Sequence, residues 1–230
     1  MERQQFLEHL EARIAKYDLL CHPFYQAWAA GELTRQELCS YAQQYYPHVK
    51  AFPTYLAELA MRLEDGDLRR AILANMADEK GTDDAHGEHA ELWLDFVEGM
   101  GGQREVMAAS LLPAIKNLTG FFHRMASEGT PEEALAAFYA YESQVPRVAK
   151  EKARGLLEMY GADQKTCAYF TLHTTADVYH SNVWKKQLEK RLESHPEAME
   201  QALTAAENAA KALWRALDGI EESRKAPLAA

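Results

Sequence analysis

The chain has 230 residues, enough for one well-buried domain, and its 12 glycines and 8 prolines are too few for a collagen-like or disordered protein. Its 25 basic and 35 acidic residues give a formal net charge of −10, which repels phosphate backbones, so we expect no nucleic-acid partner. We expect no membrane partner, because no apolar run approaches the roughly 18 residues of a membrane span and the chain starts without a signal-peptide pattern. Three scattered cysteines favour a reducing, cytoplasmic location.

Apolar residues recur at intervals of three and four along nearly the whole chain, which is typical of amphipathic helices. Capping boxes begin helices at Thr34 and Thr130, and Gly31 is suited to end one. The main predicted helices cover residues 3–20, 67–79, 89–100, 112–126, 130–160 and 196–220, and others begin near residues 23, 34 and 163. We therefore expect one all-α domain, a bundle of seven to eight helices over residues 1–222, followed by a flexible tail at residues 223–230.

The strongest local signal for chemistry is the spacing of His173, Asp177 and His180. At about 100° per helical residue, offsets of four and seven return to within about 40° and 20° of the starting direction. All three side chains would then project from one face of a helix, as metal ligands on a helix must. A carboxylate with two imidazoles suits iron, manganese or zinc.

Two further places in the sequence could complete such a site. Glu142 stands in an Ala- and Leu-rich helix, four residues before Pro146, where a proline is expected to kink the helix at the carboxylate. Glu79 precedes two histidines, His86 and His89. Bundles that hold two metal ions take carboxylates and imidazoles from several inward-facing helices.

Several segments, matching in order and at near-equal spacing, closely resemble the family of the chlamydial protein associating with death domains (CADD). The segments are YAYESQVPRVAKEKARGL at 139–156, YFTLHTTADVYH at 169–180, Phe24-Tyr25-x-x-Trp28, the run from Tyr45 to Pro53, Asp78-Glu79 and His89-x-x-Leu92-Trp93. The resemblance covers most of the chain up to about residue 185.

The resemblance implies a haem-oxygenase-like helical fold, without haem, that carries a dinuclear Fe/Fe or Fe/Mn centre. The ligands implied are Glu79, His89, Glu142, His173, Asp177 and His180. It also implies formation of p-aminobenzoate for folate biosynthesis, with O2 and an external reductant as co-substrates. The aromatic ring would come from Tyr25 and the amino group from Lys152, so that each chain reacts once.

Some alternatives stay open. His86 fits the family's seven-residue spacing from Glu79, whereas His89 fits the neighbouring His-x-x-Leu-Trp pattern. Another tyrosine could be the one consumed.

The rival functions are a cofactorless oxidase or hydrolase that binds an external small molecule, similar to pyrroloquinoline-quinone synthase or thiaminase, and a non-enzymatic interaction module. Fold analogy suggests a homodimer. The sequence does not identify the electron donor.

We expect His22, His48 and His123 to be hydrogen-bonded structural residues.

Overall fold

The computed structural model describes residues 2–82, 87–105 and 111–226, and within them the fold is all-α, as expected. The helices are α1 (Arg3–Ala15), α2 (Pro23–Ala30), α3 (Arg35–Met61), α4 (Asp67–Glu79), α5 (His89–Gly99), α6 (Pro113–Ser127), α7 (Pro131–Glu142), α8 (Val145–Met159), α9 (Ala168–His173), α10 (Ala176–Ser194) and α11 (Met199–Lys225). Short 3-10 turns lie at Leu19–Cys21 and Pro196–Ala198. The described segments outnumber the predicted helices, because helices expected to be continuous are interrupted.

Helix α7 lies at the centre of the bundle. All its residues from Ala134 to Glu142 are buried, and it packs against α10, α11 and α6. An Ala- and Leu-rich helix without a polar face is stable only in such surroundings. Its start was predictable, because the Thr130 and Glu133 side chains form the capping box with each other's backbone amides. The bundle therefore delivers Glu142, at the end of this helix, into the protein interior.

Two interruptions separate helices that sequence periodicity joins. The first is at Ser143 and Gln144, between α7 and α8, where a kink at Glu142 was expected. Pro146 lacks an amide hydrogen and its ring crowds the carbonyl of Glu142, so the helix ends there and restarts. The second is at Thr174 and Thr175, between α9 and α10.

The C-terminal helix extends beyond the expected end of the domain. α11 continues through Lys225, and Arg224 in its last turn forms ion pairs with Glu221 and Glu37. The predicted tail therefore begins within a helix, and its residues 227–230 lie outside the described part of the chain. Among the described residues, no helix combines the length and apolar character needed to cross a membrane.

Candidate metal centre

The six ligands implied by the sequence are all buried and come from five helices. Glu79 ends α4, His89 begins α5, Glu142 ends α7, His173 ends α9, and Asp177 and His180 lie in the first turns of α10. Four of these six residues are the first or last residue of their helix.

Their donor atoms form two overlapping groups, each with all atoms within 4.8 Å of one another. One contains Glu79, His89 and His173, and the other contains Glu79, Glu142, Asp177 and His180. Because Glu79 belongs to both, its carboxylate lies between two positions that could each hold an ion. The expectation that His173, Asp177 and His180 share one face of one helix was wrong. They converge from two helices across the Thr174–Thr175 interruption.

Neighbouring groups orient the imidazoles. His173 donates from Nδ1 to the carbonyl oxygen of Tyr169 over 2.7 Å, so Nε2 is left to bind a metal. His180 lies with Nε2 3.1 Å from Asp78 Oδ2, and its Nδ1 is 3.4 Å from Asp177 Oδ1 and 3.8 Å from Glu142 Oε1. These contacts point one nitrogen of each ring toward the carboxylates.

The donor set fits divalent cations. The Nδ1 atoms of His89 and His180 are buried and, among the described residues, make no well-directed hydrogen bond. His89 Nδ1 nevertheless lies 2.9 Å from Glu79 Oε2. Buried polar atoms without partners are costly, and a cation between imidazole and carboxylate would satisfy both. Oxygen and nitrogen ligands in this ratio suit iron and manganese.

The charges in the cluster depend on one another. Burial, together with the charges of Asp177 and Glu79, raises the pKa of Glu142 well above its usual value. Burial opposes a charge on His180, but the carboxylates of Asp177 and Glu142 outweigh it and raise its pKa to about 10. Without bound cations, protons must therefore neutralise part of the cluster.

Two side chains that sequence reasoning missed hold Glu142. Asn75 Nδ2 donates to Oε1 over 3.3 Å, and Trp184 Nε1 donates to Oε2. Each stands four residues from a predicted ligand on its own helix, Asn75 before Glu79 and Trp184 after His180. Residues four apart share a helix face, so this spacing was the signal that could have found them. His86, the alternative ligand, lies outside the described residues.

Lys152 and Tyr25, the other two predicted site residues, contact each other. Lys152 Nζ donates to Tyr25 Oη over 2.8 Å and to Tyr41 Oη over 2.5 Å, and the two hydroxyls are 3.0 Å apart. Lys152 is buried, and burial lowers its pKa well below the usual value. The amine therefore has a strong tendency to be neutral, which is the nucleophilic form.

Aromatic rings enclose this amine. Nζ lies 4.3 Å from the ring centre of Tyr25, 4.6 Å from that of Tyr41 and 5.3 Å from that of Trp28. Trp28 fits because α8 has Gly155 opposite it, where a Cβ atom would come within 2.9 Å of the indole. Helix α2 then ends at Gly31, which adopts the left-handed conformation with φ of 74°.

A small cavity lies between the amine and the metal centre. Its volume is about 30 Å³, and its walls include Tyr25, Lys152, Tyr141 and Tyr169. The Tyr169 ring stacks on His173 with 3.9 Å between ring centres, so one tyrosine touches both the cavity and a predicted ligand. A wider surface groove of about 840 Å³ between α6 and α11 contains none of the predicted site residues.

Comparison with known proteins identifies the family and the fold. A family model described as iron-containing redox enzyme matches residues 39–214. A 4-aminobenzoate synthase of Chlamydia muridarum is 40% identical over 80% of this chain and 78% of its own. A 4-aminobenzoate synthase of Nitrosomonas europaea is 36% identical over 97% of this chain and 94% of its own. A Shewanella denitrificans structure with a heme oxygenase-like fold superposes with a TM-score of 0.78, at 17% identity, over 98% of this chain and 94% of that one. The expected fold is confirmed.

Proposed function

Because this chain belongs to the haem-oxygenase-like family of iron-containing redox enzymes, and resembles 4-aminobenzoate synthases over most of its length, we propose that it forms p-aminobenzoate from its own Tyr25 and Lys152. The observation that carries the proposal is the contact of 2.8 Å between Lys152 Nζ and Tyr25 Oη. It brings a buried amine to the carbon that must exchange its oxygen for nitrogen.

The atoms of the product account for the two residues. The ring and Cβ of Tyr25 become the ring and carboxyl carbon of p-aminobenzoate, so the bond between Cα and Cβ breaks and Cα takes up a hydrogen. Nζ of Lys152 replaces the phenolic oxygen, which leaves as water, and the bond from Nζ to Cε breaks as Cε is oxidised to an aldehyde. Oxidation of Cβ to a carboxylate and of Cε to an aldehyde releases six electrons; with two more from the external reductant, they reduce two O2 molecules. The reaction consumes both side chains, so each chain acts once.

The residues around the pair prepare it for this chemistry. The apolar cage favours the neutral amine, because an ammonium ion there has lost its hydration. Tyr41 accepts a hydrogen bond from the amine and lies 3.0 Å from Tyr25 Oη, so it keeps the two reacting groups in contact. The same cage excludes water that would compete with the amine.

The six-residue cluster would hold two iron ions, or an iron–manganese pair, and Glu79 belongs to both of its groups of donor atoms. These ions would supply activation of O2, the chemistry that amino-acid side chains lack. Tyr169 and Tyr141 lie between the cluster and the reacting pair.

The size of the cavity argues against the rival function on an external substrate. About 30 Å³ of free space beside Lys152 cannot admit an aromatic or quinone-like molecule, which needs a pocket of several hundred Å³. A ring that already belongs to the protein needs no such space. A non-enzymatic interaction module would have no use for six buried ligand groups.

The direct test uses purified protein with labelled residues, supplied with Fe(II), Mn(II), O2 and a reductant. Ring-labelled tyrosine and 15N-labelled lysine should both appear in p-aminobenzoate, and peptide mapping should find the loss at residue 25. Tyr25→Phe and Lys152→Arg should each reduce the yield at least a hundredfold. Unlabelled product, or normal yield from either variant, would overturn the proposal.

Tyr41→Phe is the matched control for the choice of tyrosine, because Lys152 contacts both hydroxyls. We expect this variant to form less product and still to lose the side chain at residue 25. Loss of the side chain at residue 41 in the wild type would assign the ring to Tyr41 instead.

The product's use in folate biosynthesis, the cytoplasmic location and the homodimer stay predictions from the sequence.

A further inference from the structure

We propose that the cavity between Lys152 and Tyr169 is a docking site for molecular oxygen, an inference that rests on the proposed function. Its walls join the two halves of the site, with Tyr25 and Lys152 on one side and Tyr141 and Tyr169 on the other. A gas molecule held there lies beside the ring to be oxidised and next to the tyrosine that stacks on His173.

The size of the cavity selects small molecules. It has a volume of about 30 Å³. This is far below the several hundred Å³ of a pocket for a drug-sized ligand, so the space suits only a molecule of a few heavy atoms.

The polar groups of the wall already have partners, which makes the cavity a poor site for water. The hydroxyls of Tyr25 and Tyr41 and the amine of Lys152 are hydrogen-bonded to one another. On the other side, Tyr141 is the side-chain hydrogen-bond partner of Tyr169 and of Tyr45. A buried water needs two to four polar partners, and cavities without them stay dry.

Apolar side chains complete the wall and indicate where gas enters. Val148 and Ala149 of α8 line the cavity and are buried, as are Leu19 and Phe170. Val145, at the start of α8, is the half-buried member of the lining. The path from solvent therefore passes between this first turn of α8 and the 3-10 turn at Leu19.

Gas-pressurised crystals test the site independently of activity. Krypton is apolar and monatomic, and it should appear as one density peak within the cavity of the wild-type protein. Ala149→Leu fills the space and should remove the peak, whereas Val148→Ala enlarges the space and should increase krypton occupancy. A hydrogen-bonded water at this position, or krypton bound elsewhere only, would overturn the inference.

Single-turnover kinetics at varied O2 then connect the site to the reaction. We expect Ala149→Leu to raise the half-saturating O2 concentration at least fivefold and Val148→Ala to lower it. The control is Ala153→Leu, which adds the same atoms to the same helix outside the cavity lining and should leave the O2 dependence unchanged. An unaltered O2 dependence in Ala149→Leu contradicts the inference even if product forms. If the wild type forms no product, the proposed function is wrong, whether or not krypton binds in the cavity.

Discussion

Lys152 shows how one residue can lower stability in order to be reactive. A buried amine loses its hydration, and this one contacts neutral hydroxyls and aromatic rings. Burial therefore lowers its pKa in the folded state well below that of the unfolded chain. Between the two values the unfolded chain binds one more proton, so the free energy of unfolding rises with pH in that window.

Replacement of Lys152 by Met should remove this dependence. The relevant pH window lies between the lowered pKa of Lys152 and the ordinary lysine pKa of about 10.4. Within it, the free energy of unfolding of the wild type should rise by about 1.4 kcal/mol per pH unit relative to that of Lys152→Met. Urea unfolding at pH 7 to 9.5 measures the difference. For Lys150→Met, a change at an exposed neighbouring position, the free energy of unfolding should vary with pH as it does in the wild type. Parallel curves for Lys152→Met would show that the amine stays charged in the folded protein.

His48 is a second buried base, and it differs from the expectation. His22 and His123 are hydrogen-bonded, to Asp218 and Glu58, whereas both ring nitrogens of His48 lack a hydrogen-bond partner among the described residues. Burial, with a small effect of the nearby His123, lowers the pKa of His48 to about 3. The folded protein therefore keeps His48 neutral at pH values where the unfolded chain protonates it.

His48→Gln should consequently tolerate acid better than the wild type does. Between pH 8 and pH 5 the wild type should lose about 2 kcal/mol of unfolding free energy relative to the variant, because the ordinary histidine pKa is about 6.5. Denaturant titrations at the two pH values give the comparison. The exposed His9, changed to Gln, is the control and should show no such difference. An equal acid sensitivity of His48→Gln would mean that another group is responsible.

Asp78 fixes the ring of His180, and its loss should weaken metal binding. Its Oδ2 lies 3.1 Å from Nε2, which leaves Nδ1 directed toward Asp177 and Glu142. Removal of a residue that hydrogen-bonds a metal ligand commonly lowers metal affinity by roughly 10- to 100-fold. We expect a loss of about that size in Asp78→Asn, measured by Fe(II) and Mn(II) titration. Asp67→Asn, on the same helix and exposed, should bind as the wild type does.

At the scale of the helix, local signals were predictable and long-range ones were not. The capping boxes at Thr34 and Thr130 and the stop at Gly31 depend on neighbouring residues alone, and the structure confirms them. The interruption at Thr174 and Thr175 has no proline or glycine to mark it. A periodicity of three and four residues therefore does not predict it.

Gln144 links the interruption after α7 to the rest of the bundle. This buried side chain accepts a hydrogen bond from the Leu19 amide over 3.0 Å and donates to the Ala140 carbonyl over 3.2 Å. Gln144→Ala leaves the buried Leu19 amide without a partner and should destabilise the protein by about 1–3 kcal/mol. Ser143→Ala, next to it, should change stability by less than about 0.5 kcal/mol in the same urea titration. Equal effects would assign the loss to the interruption itself.

For the whole molecule, the sequence could name candidate ligands but could not give their arrangement. His173, Asp177 and His180 are close in sequence, so spacing alone suggested a site. Glu79 and Glu142 are far apart in the chain, so spacing could offer them only as further candidates, and the resemblance to a family then implied both as ligands. The shared position of Glu79 between two groups of donors depends on five helices meeting, which is a tertiary property.

Because the ligands join five helices, bound metal should stabilise the whole bundle. A cation that binds only the folded state at about 100 times its dissociation constant adds about 2.7 kcal/mol to the free energy of unfolding. Removal of metal with a chelator should reverse this gain and increase hydrogen exchange most in α9, a six-residue helix ending at His173. The double variant His173→Ala/Asp177→Ala should lose the gain, while the exposed pair His9→Ala/Asp65→Ala should keep it. Equal stabilisation of both variants by Fe(II) and Mn(II) would place the ions elsewhere on this acidic protein.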